Sequence, residues 1–201
     1  MQKFLIGRQN LLPMDAIIVA LSGFWLMLPA FLPNSAAVVF GGGRPIDFGR
    51  SWNGKRILGD GKTWTGLIGG ISAGVALGII QMMIAAGLGD KQGLWGFGSL
   101  PTAFGIVLAL AVGSLMGDLA GSFIKRRLNI GRGAKAPILD QYNFIGGALI
   151  AVIIFFPSWF MSSFIDGASI LALLTVLIVT PILHRSVNII GYKAGLKKVP
   201  W

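Results

Sequence analysis

The sequence predicts an all-α integral membrane protein, a single membrane-embedded domain over residues 1–201 with about five transmembrane helices and two functional cytoplasmic loops. Three observations predict it. The chain is 54% hydrophobic and only 12% charged, where a soluble domain is nearer one-quarter charged, and its mean hydropathy is +0.77. Five apolar runs, at 14–33, 63–87, 99–123, 141–162 and 168–188, each approach the ~20 residues that cross a bilayer. The basic residues cluster between those runs.

The first run follows Lys3 and Arg8 and precedes Ser35-Ala36-Ala37, a signal-peptide-like frame. It is long for a signal h-region and Pro33 interrupts the would-be cleavage site, so it reads as a retained span. The second run carries Gly66, Gly70, Gly74 and Gly78 at four-residue spacing, a close-packing stripe for a neighbouring helix. The third holds Asp118 deep in apolar sequence and ends in Lys125-Arg126-Arg127, the fourth opens on Asp140, and the fifth carries His184, the one histidine, beside Arg185. An interfacial histidine of this kind reads as structural. Trp25, Trp64, Trp95 and Trp159 fall near predicted span ends, as an aromatic belt would.

Orientation follows from the basic residues. With five spans, fourteen of the 17 Lys and Arg lie on one side, in loop 34–62, in loop 124–139 and at the C-terminal end; Lys3, Arg8 and Lys91 lie on the other. The positive-inside rule therefore places both loops in the cytoplasm and the N-terminus outside. The net charge of +10 is confined to these loops. It suits anionic headgroups or a phosphorylated substrate, and no nucleic-acid partner is expected.

All seven acids are Asp, and there is no Cys. Cysteine catalysis and zinc hydrolysis have no parts, and Ser122 lacks an evident base. An ionisable residue at membrane depth is costly unless paired, solvated or metal-bound, which makes Asp118 a functional candidate. Asp118, Ser122 and Lys125 stand at i, i+4 and i+7, on one helical face; Asp140, Asn143 and Gly147 repeat the pattern at i, i+3 and i+7 on the next helix. The short loop makes the helices antiparallel neighbours, so the two carboxylates can converge on a magnesium ion with bound phosphates. The plainer alternative pairs Asp118 with Lys125 or an arginine and makes Asp140 an N-terminal cap. Loop 34–62 mixes glycine, base and Asp, and Lys62-Thr63 opens the second helix at a natural anion site. Gly61-Lys62-Thr63 imitates the end of a Walker A loop, but the glycine required five positions before Gly61 is Arg56, so a P-loop is excluded.

At these residues the chain resembles a known family. Gly117-Asp118-Leu119-x-x-Ser122-x-x-Lys125-Arg126, followed by Pro137-x-x-Asp140-Gln141, is similar to the core of the CTP-dependent phosphatidate cytidylyltransferases. Pro33-Asn34, Gly42-Gly43-Arg44-Pro45-Ile46-Asp47 and Gly59-Asp60-Gly61-Lys62-Thr63-Trp64 resemble its archaeal branch, the CDP-archaeol synthases. The bacterial and eukaryotic signature ends in Asp-Arg-x-Asp; Asp140-Gln141-Tyr142-Asn143 stands there here, so only Asp118 and Asp140 carry over as metal ligands.

The resemblance implies that Ser122, Lys125 and Arg126 face the nucleotide phosphates. Asn34, Arg44, Asp60, Gly61, Lys62 and Thr63 would complete the nucleotide pocket. Catalysis would rest on Asp118, Asp140, Lys62 and Lys125, with Mg2+ as cofactor. The partners implied are CTP, an isoprenoid ether-lipid phosphate and the bilayer; the products are CDP-archaeol and pyrophosphate. The alternative from another class is a small transporter or channel with Asp118 as its coupling acid. A CDP-alcohol phosphotransferase is excluded, since neither Asp60 nor Asp118 has an Asp three residues away.

Overall fold

A computed structural model describes residues 13–90, 93–131 and 134–196. Lys3, Arg8, Lys91, Arg132, Lys197 and Lys198, used above in the charge asymmetry, lie outside the described residues. The helices are α1 Pro13–Leu26, α2 Leu28–Val39, α3 Trp64–Gly87, α4 Thr102–Arg127, α5 Pro137–Phe155, the short α6 Pro157–Phe160 and α7 Ile170–Lys193. Together they give five segments long and apolar enough to span a membrane. Their outer faces carry Met83, Ile154, Phe155 and Ile178, all exposed, as lipid-facing surface should be.

The first span differs from its expected course. The run expected to end at 33 continues as helix to Val39, with Pro33 and Asn34 inside it, and the break comes earlier, at Met27 between α1 and α2. Pro29, in the first turn of α2, has no N–H to offer the Trp25 carbonyl. Gln81 of α3, fully buried, donates to that carbonyl instead at 2.7 Å. The proline-freed group is thus satisfied by a neighbouring helix, a standard resolution inside a membrane. Pro157 similarly ends α5 at Phe155, earlier than expected.

The α3 glycine stripe packs as predicted. A methyl on Gly70 would lie 2.7 Å from the Pro33 carbonyl oxygen, and one on Gly74 2.7 Å from that of Pro29. Gly78 faces Val107 of α4, so α3 is wedged between α2 and α4. A second stripe goes further. Gly113, Gly117 and Gly121 of α4 meet Asn143, Gly147 and Ala151 of α5 with no room for a side chain. This close approach joins the two helices that carry Asp118 and Asp140.

One strand pair is absent from the all-α expectation. Ser51–Trp52 (β1) and Lys55–Arg56 (β2) form a short antiparallel hairpin. Its turn, Asn53-Gly54, has φ of 51° and 72°, the left-handed pair that an Asn-Gly hairpin turn requires. Of the tryptophans, Trp25 and Trp95 meet edge to face at 6.3 Å, with Trp25 Nε1 donating to the Trp95 carbonyl at 2.9 Å. They join the core packing as well as marking span ends.

Candidate active site

Loop 41–62 is held by two anchors. The first is Asp47, whose carboxylate accepts from Arg56 Nη2 at 2.8 Å and from the backbone N–H groups of Leu58, Gly59 and Gly49 at 3.0, 2.9 and 3.1 Å. Burial opposes its charge, but the Arg56 guanidinium and the three N–H groups outweigh burial and hold the carboxyl well below the usual carboxylate range. The second is Arg127 at the end of α4. It donates to the carbonyls of Trp52, Lys55 and Arg56 at 2.7, 3.0 and 2.8 Å and lies over the Trp52 and Phe123 rings. The loop is thereby clamped to the end of the helix that bears Asp118.

The loop delivers Lys62 to the start of α3. The Ile46 N–H donates to the Lys62 carbonyl at 2.8 Å, closing the loop's base. Thr63 is the N-cap of α3: its Oγ1 accepts from the Gly66 N–H at 3.2 Å and from the Gly42 N–H at 3.3 Å. Lys62 Nζ then reaches Asp118 as an ion pair. Lys125 Nζ pairs with Asp140 at 2.6 Å. Of the two partners weighed for Asp118, neither is taken, because Lys62 arrives from a distant loop. Asp140 accepts the Ala136 N–H at 3.0 Å at the start of α5, as the capping alternative expects, and its other oxygen takes Lys125, a pairing expected for Asp118 instead.

A cavity of about 330 Å³ opens at this point, near the lower bound for small-molecule sites. Its wall includes Gly61, Lys62, Asp118, Ser122, Lys125, Arg126 and Asp140. Arg126 Nε is buried with no hydrogen-bond partner. A smaller adjoining cavity of about 140 Å³ adds Asn34 and Thr63 and shares Gly61, Lys62, Asp118 and Asp140. Asn34 also donates to Ser114 Oγ at 3.1 Å.

Arg44 and Asp60 lie outside the walls of both cavities. Arg44 covers the Phe48 ring at 5.0 Å, and the exposed Asp60 pairs with Arg56 at 2.6 Å. Two residues passed over in the sequence line the main cavity: Asn188, and His184, read above as structural. Their i, i+4 spacing on the last helix was the available signal. Among the described residues no three metal-ligating side chains cluster together, so any ion here would draw its remaining ligands from substrate or water.

A protein-family model described as "CarS-like: CDP-archaeol synthase" matches residues 14–201. The chain is 48% identical over 178 residues to a CDP-archaeol synthase of Methanospirillum hungatei, covering 87% of this chain and all of that protein. It is 45% identical over 182 residues to one of Pyrococcus horikoshii, covering 90% of this chain and 96% of that protein. A solved structure of an intramembrane enzyme for archaeal membrane lipids biosynthesis is 39% identical, with a TM-score of 0.55 over 82% of this chain and 90% of its own. The transporter alternative gives way to an enzyme. With five apolar spans around a basic and acidic cavity, and with relatives matched along nearly their whole length, the chain belongs to the CDP-archaeol synthase family of CTP-dependent cytidylyltransferases acting on a lipid phosphate.

Proposed function

We propose that the enzyme transfers CMP from CTP to 2,3-di-O-geranylgeranyl-sn-glycerol 1-phosphate, giving CDP-archaeol and pyrophosphate, with the cavity open to the cytoplasm. The observation that carries this reading is the convergence of Lys62, Lys125 and Arg126 with Asp118 and Asp140 on one cavity wall. A triphosphate needs the cations and a bound metal needs the carboxylates, and the transfer needs a nucleophile. The lipid phosphate supplies it. One of its oxygens bonds to the α-phosphorus of CTP as the bond to the β-phosphate oxygen breaks, and pyrophosphate leaves.

Asp118 and Asp140 are the residues that would hold magnesium. The donor set fits: magnesium takes one or two carboxylates and completes its shell with phosphates and water. When bound, it supplies charge neutralisation at the phosphates. The protein's own part is positioning and electrostatics. Lys62 and Lys125 now neutralise the two carboxylates. Charge-neutral exchange lets these lysines turn to phosphate oxygens as a metal nucleotide enters. Ser122, nearly fully buried beside them, adds a hydroxyl donor. Arg126 brings its unpartnered Nε–H.

The test is purified protein with labelled CTP, magnesium and candidate lipid phosphates. Pyrophosphate release should require both magnesium and a lipid phosphate, with the digeranylgeranyl ether preferred over diacyl phosphatidate. The same lipid with a free glycerol hydroxyl should be inert. Equal turnover of the free alcohol, or full activity in chelator, overturns the reading.

A further inference from the structure

We propose that His184 and Asn188 of α7 hold the phosphate of the lipid acceptor, at the point where an apolar groove for its chains opens into the nucleotide cavity. The inference rests on the cytidylyltransferase reading above and assigns it two residues to which the sequence analysis gave no binding role. The groove has a volume of about 250 Å³ and runs between α1–α2 and α7, with Phe24, Leu28 and Phe31 on one wall and Leu183 and Val187 on the other. Isoprenoid chains suit such a wall, because burial of apolar surface needs no directed contact.

The groove is continuous with the polar site. His184 lines the groove and both polar cavities; Asn188 lines the groove and the larger one. A lipid with its chains in the groove therefore brings its headgroup to these two side chains. The two walls of the main cavity also differ in chemistry. The loop and α4 side carries Lys62, Lys125, Arg126 and Asp118, enough for a triphosphate and its metal. The α7 side presents an imidazole and an amide, and the carboxylates of the cavity, Asp118 and Asp140, are each paired with a lysine. An acceptor phosphate held on this side faces the nucleotide across the cavity, the arrangement that displacement at the α-phosphorus needs.

The pair is also preorganised. Asn188 is only 3% exposed. Its Nδ2 lies 3.3 Å from the His184 ring nitrogens, and the ring stacks on Phe144 at 6.2 Å and 27°. An amide N–H and an imidazole N–H can both donate to a phosphate oxygen. Hydrogen bonds to a charged phosphate are the strong kind.

Three variants test the assignment. His184→Phe keeps the stack on Phe144 and removes both ring nitrogens. His184→Gln keeps an amide donor and carries the test if the Phe ring unseats α7. Asn188→Ala removes the orienting amide. For His184→Phe the KM for lipid phosphate should rise by about tenfold to a hundredfold, while CTP affinity, read as CTP-dependent thermal protection without lipid, stays within about twofold. His184→Gln should fall between His184→Phe and wild type. A purely structural role would move both substrates together. An unchanged lipid-phosphate KM in His184→Phe and His184→Gln, or an equal loss of CTP affinity, overturns the inference. Absence of CDP-lipid formation by the wild type is a separate result, and it strikes the function itself.

Discussion

At the residue scale, the two ion pairs decide how the site can work. A lone carboxylate at the depth of Asp118 would be held neutral or would destabilise the bundle. Asp118 pairs with Lys62 and Asp140 with Lys125, so each carboxylate has a counter-charge within the folded site. On the proposed reading, Asp118→Asn and Asp140→Asn should each cut pyrophosphate release by about a hundredfold or more while leaving expression and thermal unfolding close to wild type, because the amide keeps the shape. A variant that turns over at the wild-type rate in saturating magnesium is no metal ligand. Both acids were legible in the sequence, since an Asp inside an apolar run is conspicuous. The partner of Asp118 was not, because the contact joins positions 56 residues apart and only the folded loop brings them together. The place of His184 on the cavity wall was hidden for a related reason: it depends on what faces the ring across the cavity, and a lone histidine at a helix end carries no sign of that.

Asp47 acts one step away from the cavity. Its depressed pKa means that the folded loop is stabilised by the charged form. That contribution is complete above the ordinary carboxylate range near pH ~4. It is lost only as pH falls through the lower folded-state value. Loop 41–62 should therefore resist trypsin equally from about pH 6 to pH 8, the range in which trypsin can be used and Asp47 stays charged. Asp47→Asn should open it to cleavage at Arg50, Lys55 and Arg56, and should raise the CTP requirement, since Lys62 is presented by that loop. Equal protease resistance in the variant would show that Arg127 alone holds the loop.

At the scale of elements, two glycine stripes set the geometry, and only the first was read. The α3 stripe stood out because four glycines recur at one spacing. The α4 stripe of Gly113, Gly117 and Gly121 is interleaved with Asp118 and Ser122, and the chemistry of those residues drew attention from the packing beside them. Gly117→Ala places a methyl against the Asn143 carbonyl, and such overpacking costs about 1–3 kcal/mol. It should lower the unfolding temperature by several degrees and reduce activity further than stability alone explains, because the adjacent Asp118 moves with the helix. Gly146→Ala is the control: nothing lies within 4 Å of its added methyl, and the substitution should be neutral or mildly stabilising. Equal effects at the two positions would deny the close approach of α4 and α5 any special role. The hairpin and the α1–α2 break escaped the sequence reading for different reasons. Asn53-Gly54 is a hairpin-turn signal on its own, but the flanking pairs Ser51-Trp52 and Lys55-Arg56 are too short to show strand alternation. The α1–α2 break ahead of Pro29 depends on Gln81, a residue on another helix, which takes up the freed Trp25 carbonyl.

At the scale of the whole molecule, charge asymmetry and site geometry make the same demand. The contacts of Arg127 with the hairpin and the shared cavity wall put loop 41–62, the end of α4, the start of α5 and the later part of α7 at one end of the bundle. That end bears fourteen of the 17 basic residues in the five-span reading. Loops rich in Lys and Arg resist translocation, and on the proposed reading the nucleotide is met in the cytoplasm, so electrostatics and substrate supply call for the same orientation. The chain has no native cysteine, which makes the orientation directly measurable. A cysteine at Ser51, exposed in the hairpin, should react with an impermeant maleimide only in inverted vesicles; one at Ser99, exposed between α3 and α4, should react only in intact cells. The converse pattern would place the cavity outside, away from CTP. It would then require that charge asymmetry fail to set topology in this chain, or that the nucleotide be delivered across the membrane.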